Sequence, residues 1–166
     1  MNFFKKIFII IIFISLFFIQ KNHSSTYFSY PTDYIQISSS YGYRNIFNSV
    51  YFHNGIDFLA PQSSKIYACS NGIVIECGFS NSYGNSIILQ HSNGYRSLYG
   101  HLDEKFIVNI GDYVNTSDHI GNVGPKYLSS GVLNGITTGP HLHFTIFDEN
   151  NNPIDPLPLL KKNSTI

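Results

Sequence analysis

Charged residues and cysteines are both scarce in this chain of 166 residues. Charged residues make up 12% and balance to a net charge of zero, so the electrostatics give no reason to expect a nucleic-acid partner. Only two cysteines occur, which excludes a metal site built from four thiolates. No stretch after residue 19 sustains a helical period, which argues against a helical domain.

Aromatic and β-branched residues are frequent instead. Aromatics make up 16% and hydrophobic residues 43%, which is enough material for a core and favours strands. Strand-length apolar patterns alternate with turn signals in SKIYACS, GIVIECGF, NSIILQH, GYRSLYGHL and HLHFTIF. The segment GDYVNTSDHIGNVG is typical of two short strands joined by a turn. We predict a single all-β domain of antiparallel sheets over residues 27–160.

The first 22 residues have the pattern of an export signal. Lys5 and Lys6 precede residues 7–19, which are apolar apart from Ser15 and form a run that is short for a full membrane span. We interpret residues 1–22 as a signal peptide or membrane anchor. The domain is then expected in the periplasm, in the cell envelope or outside the cell, with membrane contact only through this segment.

The two cysteines lie in the segment IYACSNGIVIECGF, which is typical of a hairpin turning at Asn71 and Gly72. A two-residue turn at this point would place Cys69 opposite Val74 and Cys77 on the other face of the hairpin. This geometry does not favour a disulfide bond.

The segment HNGID contains the first candidate site residues. His53 and Asp57 are four positions apart, and Gly55 with its apolar flanks indicates extended chain rather than helix. In a strand, positions 53, 55 and 57 share one face, and Gly55 leaves open space above the backbone. Taken alone, such a pair is more often a surface hydrogen bond than a metal site.

The segment PHLHF contains the second group. His141 and His143 share one strand face, whereas Leu142 and Phe144 point towards a core. Two imidazoles on a buried face are costly without partners. With HNGID the segment supplies two imidazole nitrogens and one carboxylate, a donor set that suits Zn²⁺ and leaves a fourth position for water. The additional histidines exceed what a structural zinc site needs and suggest acid–base groups.

Three segments in order, HNGID, YGHL and GPHLHF, resemble the signature segments of the lysostaphin-type zinc endopeptidases, the LytM or M23 family of peptidoglycan hydrolases. SYGYR, YGNSIILQHSNGY and GDYV…IGNVG resemble the framework of that family, so the similarity extends over residues 38–156. The resemblance implies a LytM-like sandwich of β-sheets.

By position, the resemblance makes His53, Asp57 and His143 the ligands of one Zn²⁺ ion. His101 and His141 match the two non-ligating catalytic histidines, and either of them can be the general base. The implied function is hydrolysis of cross-links or stem peptides of bacterial peptidoglycan by a zinc-activated water, in a monomer. The alternative is a non-catalytic activator of a cell-wall amidase. Such relatives lose zinc ligands, whereas this sequence retains all three.

Other positions near the motifs carry further expectations. Thr145 follows HLHF where the family usually has glutamate, which is expected to alter the orientation of a ligand without abolishing metal binding. The loop 125–138 is longer than usual and is expected to border the cleft. Tyr83 is either an extra donor at the cleft or a core or turn tyrosine. His91 and His119 are expected to be exposed and non-catalytic.

Overall fold

Strands dominate the fold. The computed structural model describes residues 27–46 and 49–161, so residues 1–22, interpreted as an export segment, lie outside the described residues. The strands in chain order are β1 (Phe28–Ser29), β2 (Ile37–Ser39), β3 (Gly42–Ile46), β4 (Ser49–His53), β5 (Ile56–Phe58), β6 (Lys65–Tyr67), β7 (Gly72–Ser80), β8 (Gly84–Gln90), β9 (Arg96–Gly100), β10 (Tyr113–Val114), β11 (His119–Asn122), β12 (Leu142–Phe147), β13 (Pro153–Ile154) and β14 (Leu160–Lys161). A 3₁₀ helix, Leu157–Leu159, is the one helix among the described residues. None of the described residues belongs to a helix with the length and apolarity to span a membrane.

Most strands belong to one antiparallel sheet of eight strands. Its order is β10-β7-β8-β9-β12-β5-β2, and β13 also pairs with β12. The pairs β6–β11 and β3–β4 are antiparallel as well, whereas β1 and β14 pair in parallel. The prediction of an all-β domain built from antiparallel sheets is therefore confirmed. The two short strands predicted in GDYVNTSDHIGNVG are β10 and β11, which pair with β7 and β6.

Strand β12 links the core to the candidate site. Leu142, Phe144 and Ile146 join the buried side chains of the large sheet and of the β6–β11 pair in one core. Each such side chain contributes roughly 1.5–3 kcal/mol of burial free energy. Because side chains alternate along a strand, His143 and Thr145 lie on the opposite face, where both are also buried. The alternation that anchors β12 in the core therefore decides which face carries His143.

The hairpin predicted at Asn71 and Gly72 is wrong. Strand β6 pairs with β11, and β7 pairs with β8 and β10, so the chain passes from one sheet to another here. A type I′ turn needs positive φ at both central residues, and neither Asn71 nor Gly72 is among the described residues with positive φ. The side chain of Asn71 instead accepts hydrogen bonds from the backbone and hydroxyl of Thr116. Cys69 and Cys77 are free thiols, although not for the reason predicted.

The expectation that His91 is exposed is also wrong. His91 is only 4% exposed, and burial lowers its pKa. Its Nδ1 donates to the carbonyl of Asn71 at 2.8 Å, and its Nε2 lies 2.9 Å from the Ser97 hydroxyl. The hydroxyls of Ser97 and Tyr99 are hydrogen-bonded at 3.0 Å. Both ring nitrogens thus have partners, which is what makes a histidine tolerable in the core. His119 is half-buried.

Candidate active site

His53 and Asp57 lie on two different strands. His53 ends β4 and Asp57 is the middle residue of β5, so a single strand over positions 53–57 is wrong. Between the two strands, Gly55 packs closely against β12. A Cβ atom at this position would collide with the carbonyl oxygen of Phe144 and lie 3.0 Å from Cε1 of His143. The space predicted above Gly55 is therefore filled by the strand that carries His143.

The sheet register places His143 directly beside Asp57, because the two are paired residues of β12 and β5. Nδ1 of His143 lies 3.0 Å from Oδ1 of Asp57 and 3.0 Å from Nε2 of His53. The third side of this triangle, from His53 Nε2 to Asp57 Oδ1, is 3.1 Å. Ligands held at about 2.05 Å by a tetrahedral zinc ion lie about 3.3 Å apart. The donor set and its spacing therefore fit a zinc ion.

The charges of these groups also favour a cation. Burial acts to raise the pKa of Asp57, but its contacts with the His143 and His53 rings outweigh burial and hold this pKa well below its usual range. Burial lowers the pKa of His143. Nδ1 of His53 donates to the Ser40 carbonyl at 2.9 Å, which leaves the lone pair of Nε2 available to a metal ion beside Asp57. Among the described residues, this is the one group of three or more His, Cys, Asp or Glu side chains whose donor atoms converge in this way.

His101 and His141 lie beside this triangle. Their ring centroids are 4.7 Å apart, and Nε2 of His141 is 3.6 Å from Oδ1 of Asp57. Nδ1 of His101 donates to the Asn134 carbonyl at 2.7 Å, and Nδ1 of His141 donates to the Gly139 carbonyl at 2.8 Å. Because a carbonyl only accepts, each neutral ring keeps its proton on Nδ1 and an unprotonated Nε2. Burial lowers the pKa of His101 to about 4, so this ring is neutral at pH 7.

The backbone of His101 is strained. Its φ of 59° lies in the left-handed region, which costs a residue with a side chain about 1–2 kcal/mol. Two hydrogen bonds hold it there: its N–H donates to the Tyr83 carbonyl at 2.7 Å, and its carbonyl accepts from the Gly124 N–H at 2.9 Å. A strained residue held by its surroundings is typical of a functional site.

Asn134 is a residue of the site that the sequence did not single out. It is fully buried in the loop 125–138, and its carbonyl accepts the hydrogen bond from His101. Its side-chain oxygen accepts from the Asn85 N–H at 2.9 Å, and its side-chain nitrogen donates to the Leu102 carbonyl at 2.9 Å. An asparagine followed by glycine is a common turn signal, so no local pattern indicates this role.

A cleft of about 720 Å³ opens at these side chains. Tyr51 and Phe52 of β4 line it together with residues 136–138, so the expectation that the long loop borders the cleft is confirmed. Tyr83 also lines the cleft, and its hydroxyl oxygen accepts a hydrogen bond from the Asn54 side chain. Of the two alternatives for this tyrosine, the structure favours the position at the cleft.

The chain belongs to peptidase family M23, whose family model matches residues 51–156. The DD-carboxypeptidase/endopeptidase Mpg of Neisseria meningitidis serogroup B is 36% identical over 129 residues, covering 76% of this chain and 27% of Mpg. The peptidoglycan DD-endopeptidase ShyC of Vibrio cholerae is 31% identical over 117 residues, covering 69% of this chain and 25% of ShyC. The chain thus spans about a quarter of the length of these relatives.

The fold matches solved structures of the family. A zinc containing peptidase from Vibrio cholerae superposes with a TM-score of 0.65 and 32% identity, covering 79% of this chain and 39% of that chain. The family that three short motifs indicated is therefore confirmed, and so is the LytM-like fold that the resemblance implied.

Proposed function

We propose that this chain is a zinc endopeptidase that hydrolyses peptide cross-links or stem peptides of bacterial peptidoglycan. The observation that carries the proposal is the triangle of His53 Nε2, Asp57 Oδ1 and His143 Nδ1, with sides of 3.0, 3.0 and 3.1 Å. The names of two relatives support the substrate, since ShyC is a peptidoglycan DD-endopeptidase and Mpg a DD-carboxypeptidase/endopeptidase. The zinc containing peptidase from Vibrio cholerae supports the metal.

The three donors would hold the ion and leave its fourth position open towards the cleft. His53 and His143 contribute neutral nitrogens, and Asp57 contributes the single negative charge. When bound, zinc supplies Lewis acidity, which polarises the scissile carbonyl and makes a water molecule acidic enough to ionise near neutral pH.

His101 and His141 would carry the proton transfers. Each has its Nδ1 proton engaged by a backbone carbonyl, so each Nε2 is free to accept a proton from the attacking water and return it to the leaving amine. Tyr83 would assist them. Its oxygen accepts from Asn54, so its own proton remains available to the carbonyl oxygen of the substrate.

We further propose that the chain is exported and acts as a monomer. Peptidoglycan lies outside the cytoplasmic membrane, and residues 1–22 have the composition of a signal peptide or membrane anchor. One chain supplies all three donor side chains and both flanking histidines, so no second copy is needed to complete the site.

The test measures zinc and hydrolysis on the same preparation of the full-length chain. Zinc per chain is determined by metal analysis, and isolated sacculi of several cross-link chemistries are assayed for released muropeptides. We expect about one zinc per chain, and a release that a chelator abolishes and added zinc restores. Mass spectrometry of the products identifies the bond that is cut. His119→Ala, which removes a half-buried histidine that does not line the cleft, is the matched control.

A wild-type chain that holds no zinc and releases nothing from any sacculus would contradict the proposal. If that chain also stimulated a cell-wall amidase, the non-catalytic alternative would be supported instead.

A further inference from the structure

Thr145 contacts the His143 ring on the side away from Asp57 and His53. It lies two residues after His143 on the same face of β12, and its Oγ1 is 3.0 Å from Nε2 of His143. The opposite ring nitrogen, Nδ1, faces Asp57 and His53. The His143 ring thus lies between Asp57 and His53 on one side and the Thr145 hydroxyl on the other.

The contact with Thr145 bears on which ring nitrogen of His143 carries the proton. A neutral ring offers a lone pair on one nitrogen only, and the other nitrogen carries a proton that needs an acceptor. For His143 to offer its Nδ1 lone pair to a metal ion beside Asp57 and His53, Nε2 must carry the proton. The Thr145 hydroxyl is placed to accept that hydrogen bond, and 3.0 Å is an ordinary length for it.

The hydroxyl is fixed in its position by its surroundings. Thr145 is fully buried and β-branched, so few side-chain rotamers are open to it. On one side, Gly55 packs so closely that a Cβ atom there would lie 2.6 Å from Oγ1 of Thr145. On β9, the residue paired with Thr145 is Leu98, which is itself buried. The acceptor is therefore rigid, which is what the orientation of a metal ligand requires.

We propose that Thr145 is a positioning residue of the metal centre: its hydroxyl accepts the Nε2–H of His143 and keeps the Nδ1 lone pair available to a metal ion held together with Asp57 and His53. The proposal rests on the zinc function proposed above. The Thr145 hydroxyl supplies an acceptor without adding a buried negative charge.

The test compares two substitutions in the full-length chain. Thr145→Val keeps the shape of the side chain and removes the hydroxyl, whereas Thr145→Ser keeps the hydroxyl. Zinc affinity is measured by competition with a chromophoric chelator. We expect Thr145→Val to bind zinc roughly 10- to 100-fold more weakly and Thr145→Ser to stay close to the wild type. Ser97→Ala, which removes another fully buried hydroxyl on the neighbouring strand β9, is the matched control and should leave zinc affinity unchanged.

A second readout follows the proton itself. In the zinc-loaded wild type, ¹⁵N-edited NMR should show the Nε2 proton of His143 protected from exchange with water. The protection should persist in Thr145→Ser and disappear in Thr145→Val. If Thr145→Val fails to fold, an unprotected Nε2 proton in the wild type still overturns the proposal.

The outcomes separate this proposal from the function on which it rests. Wild-type affinity for zinc in a folded Thr145→Val overturns the role of Thr145 and leaves the zinc site standing. A wild-type chain that binds no zinc contradicts the proposed function itself.

Discussion

The donor triangle and the two flanking histidines are held in place by different parts of the fold. Asp57 and His143 are paired residues on adjacent strands of the large sheet, and His53 ends β4, which pairs with β3 in a separate sheet. His101 and His141 instead lie immediately outside β9 and β12. Sheet register thus brings Asp57 and His143 together, whereas loop segments orient the rings proposed to move protons. Substitutions should therefore affect the two halves of the site separately.

The loops that orient the flanking histidines belong to one stretch of chain. The carbonyls of Asn134 and Gly139, which bind the Nδ1 atoms of His101 and His141, both lie between β11 and β12. In the donor triangle, by contrast, His143 on β12 contacts Asp57 on β5 and His53 on β4. Changes in the long loop should therefore leave the donor triangle intact and disturb His101 and His141.

The largest effect is expected at Asp57. Asp57→Asn keeps the shape of the side chain but removes the only negative charge among the three donors. Zinc should fall from about one per chain to near zero, and hydrolysis of sacculi should be lost with it. Metal analysis and the muropeptide assay measure both effects, and circular dichroism checks the fold. Zinc retained at the wild-type level would show that the triangle is not the metal site.

The next effect separates the two halves. His141→Ala removes a ring that is proposed to transfer protons and not to bind the metal. We expect zinc to stay at about one per chain while hydrolysis falls roughly 100- to 10,000-fold. Loss of zinc in this variant would reverse the roles assigned to the two histidines of HLH.

A smaller effect is expected from the loop. Asn134→Ala removes the side-chain hydrogen bonds that fix the carbonyl holding His101. Misplacement of that ring should lower kcat by up to about 100-fold with zinc retained. Leu133→Ala changes the preceding, exposed side chain and should have little effect, which makes it the matched control. Equal activity of the two variants would show that the loop does not orient His101.

The smallest effect lies outside the cleft, at His91. Because burial lowers its pKa in the folded chain, the unfolded chain binds more protons below about pH 6.5. The contribution of neutral His91 to stability is complete above that pH and is lost as the pH falls towards the pKa of His91 in the folded chain. His91→Gln should remove up to about 1.4 kcal/mol per pH unit from the slope of the unfolding free energy in this window. Denaturant unfolding with a chelator present measures this slope, and an unchanged slope would show that His91 does not contribute to the pH dependence of stability.

The donor types and the family were predictable from sequence because they depend on short segments. Alternation along HLHF is a local property of a strand, so the core positions of Leu142 and Phe144 followed from the pattern and are confirmed. The order of the three motifs identified the family before any contact was known.

The features that were missed depend on residues brought together by the fold. The break between β4 and β5 at Gly55 reflects the close approach of β12, which no local pattern contains. His91 is buried because Asn71 and Ser97, from other segments, bind both of its ring nitrogens. The role of Asn134 likewise depends on partners far away in the chain. In each case the contacts that decide the role of the residue come from distant parts of the chain, so the local sequence pattern does not contain them.

Zinc K-edge X-ray absorption on the loaded full-length chain tests the donor triangle most directly. We expect two imidazole nitrogens and a carboxylate oxygen at about 2.0–2.1 Å from the metal, with the same imidazole count in the wild type and in His141→Ala. A third imidazole in the wild type, or one imidazole fewer in His141→Ala, would contradict this expectation.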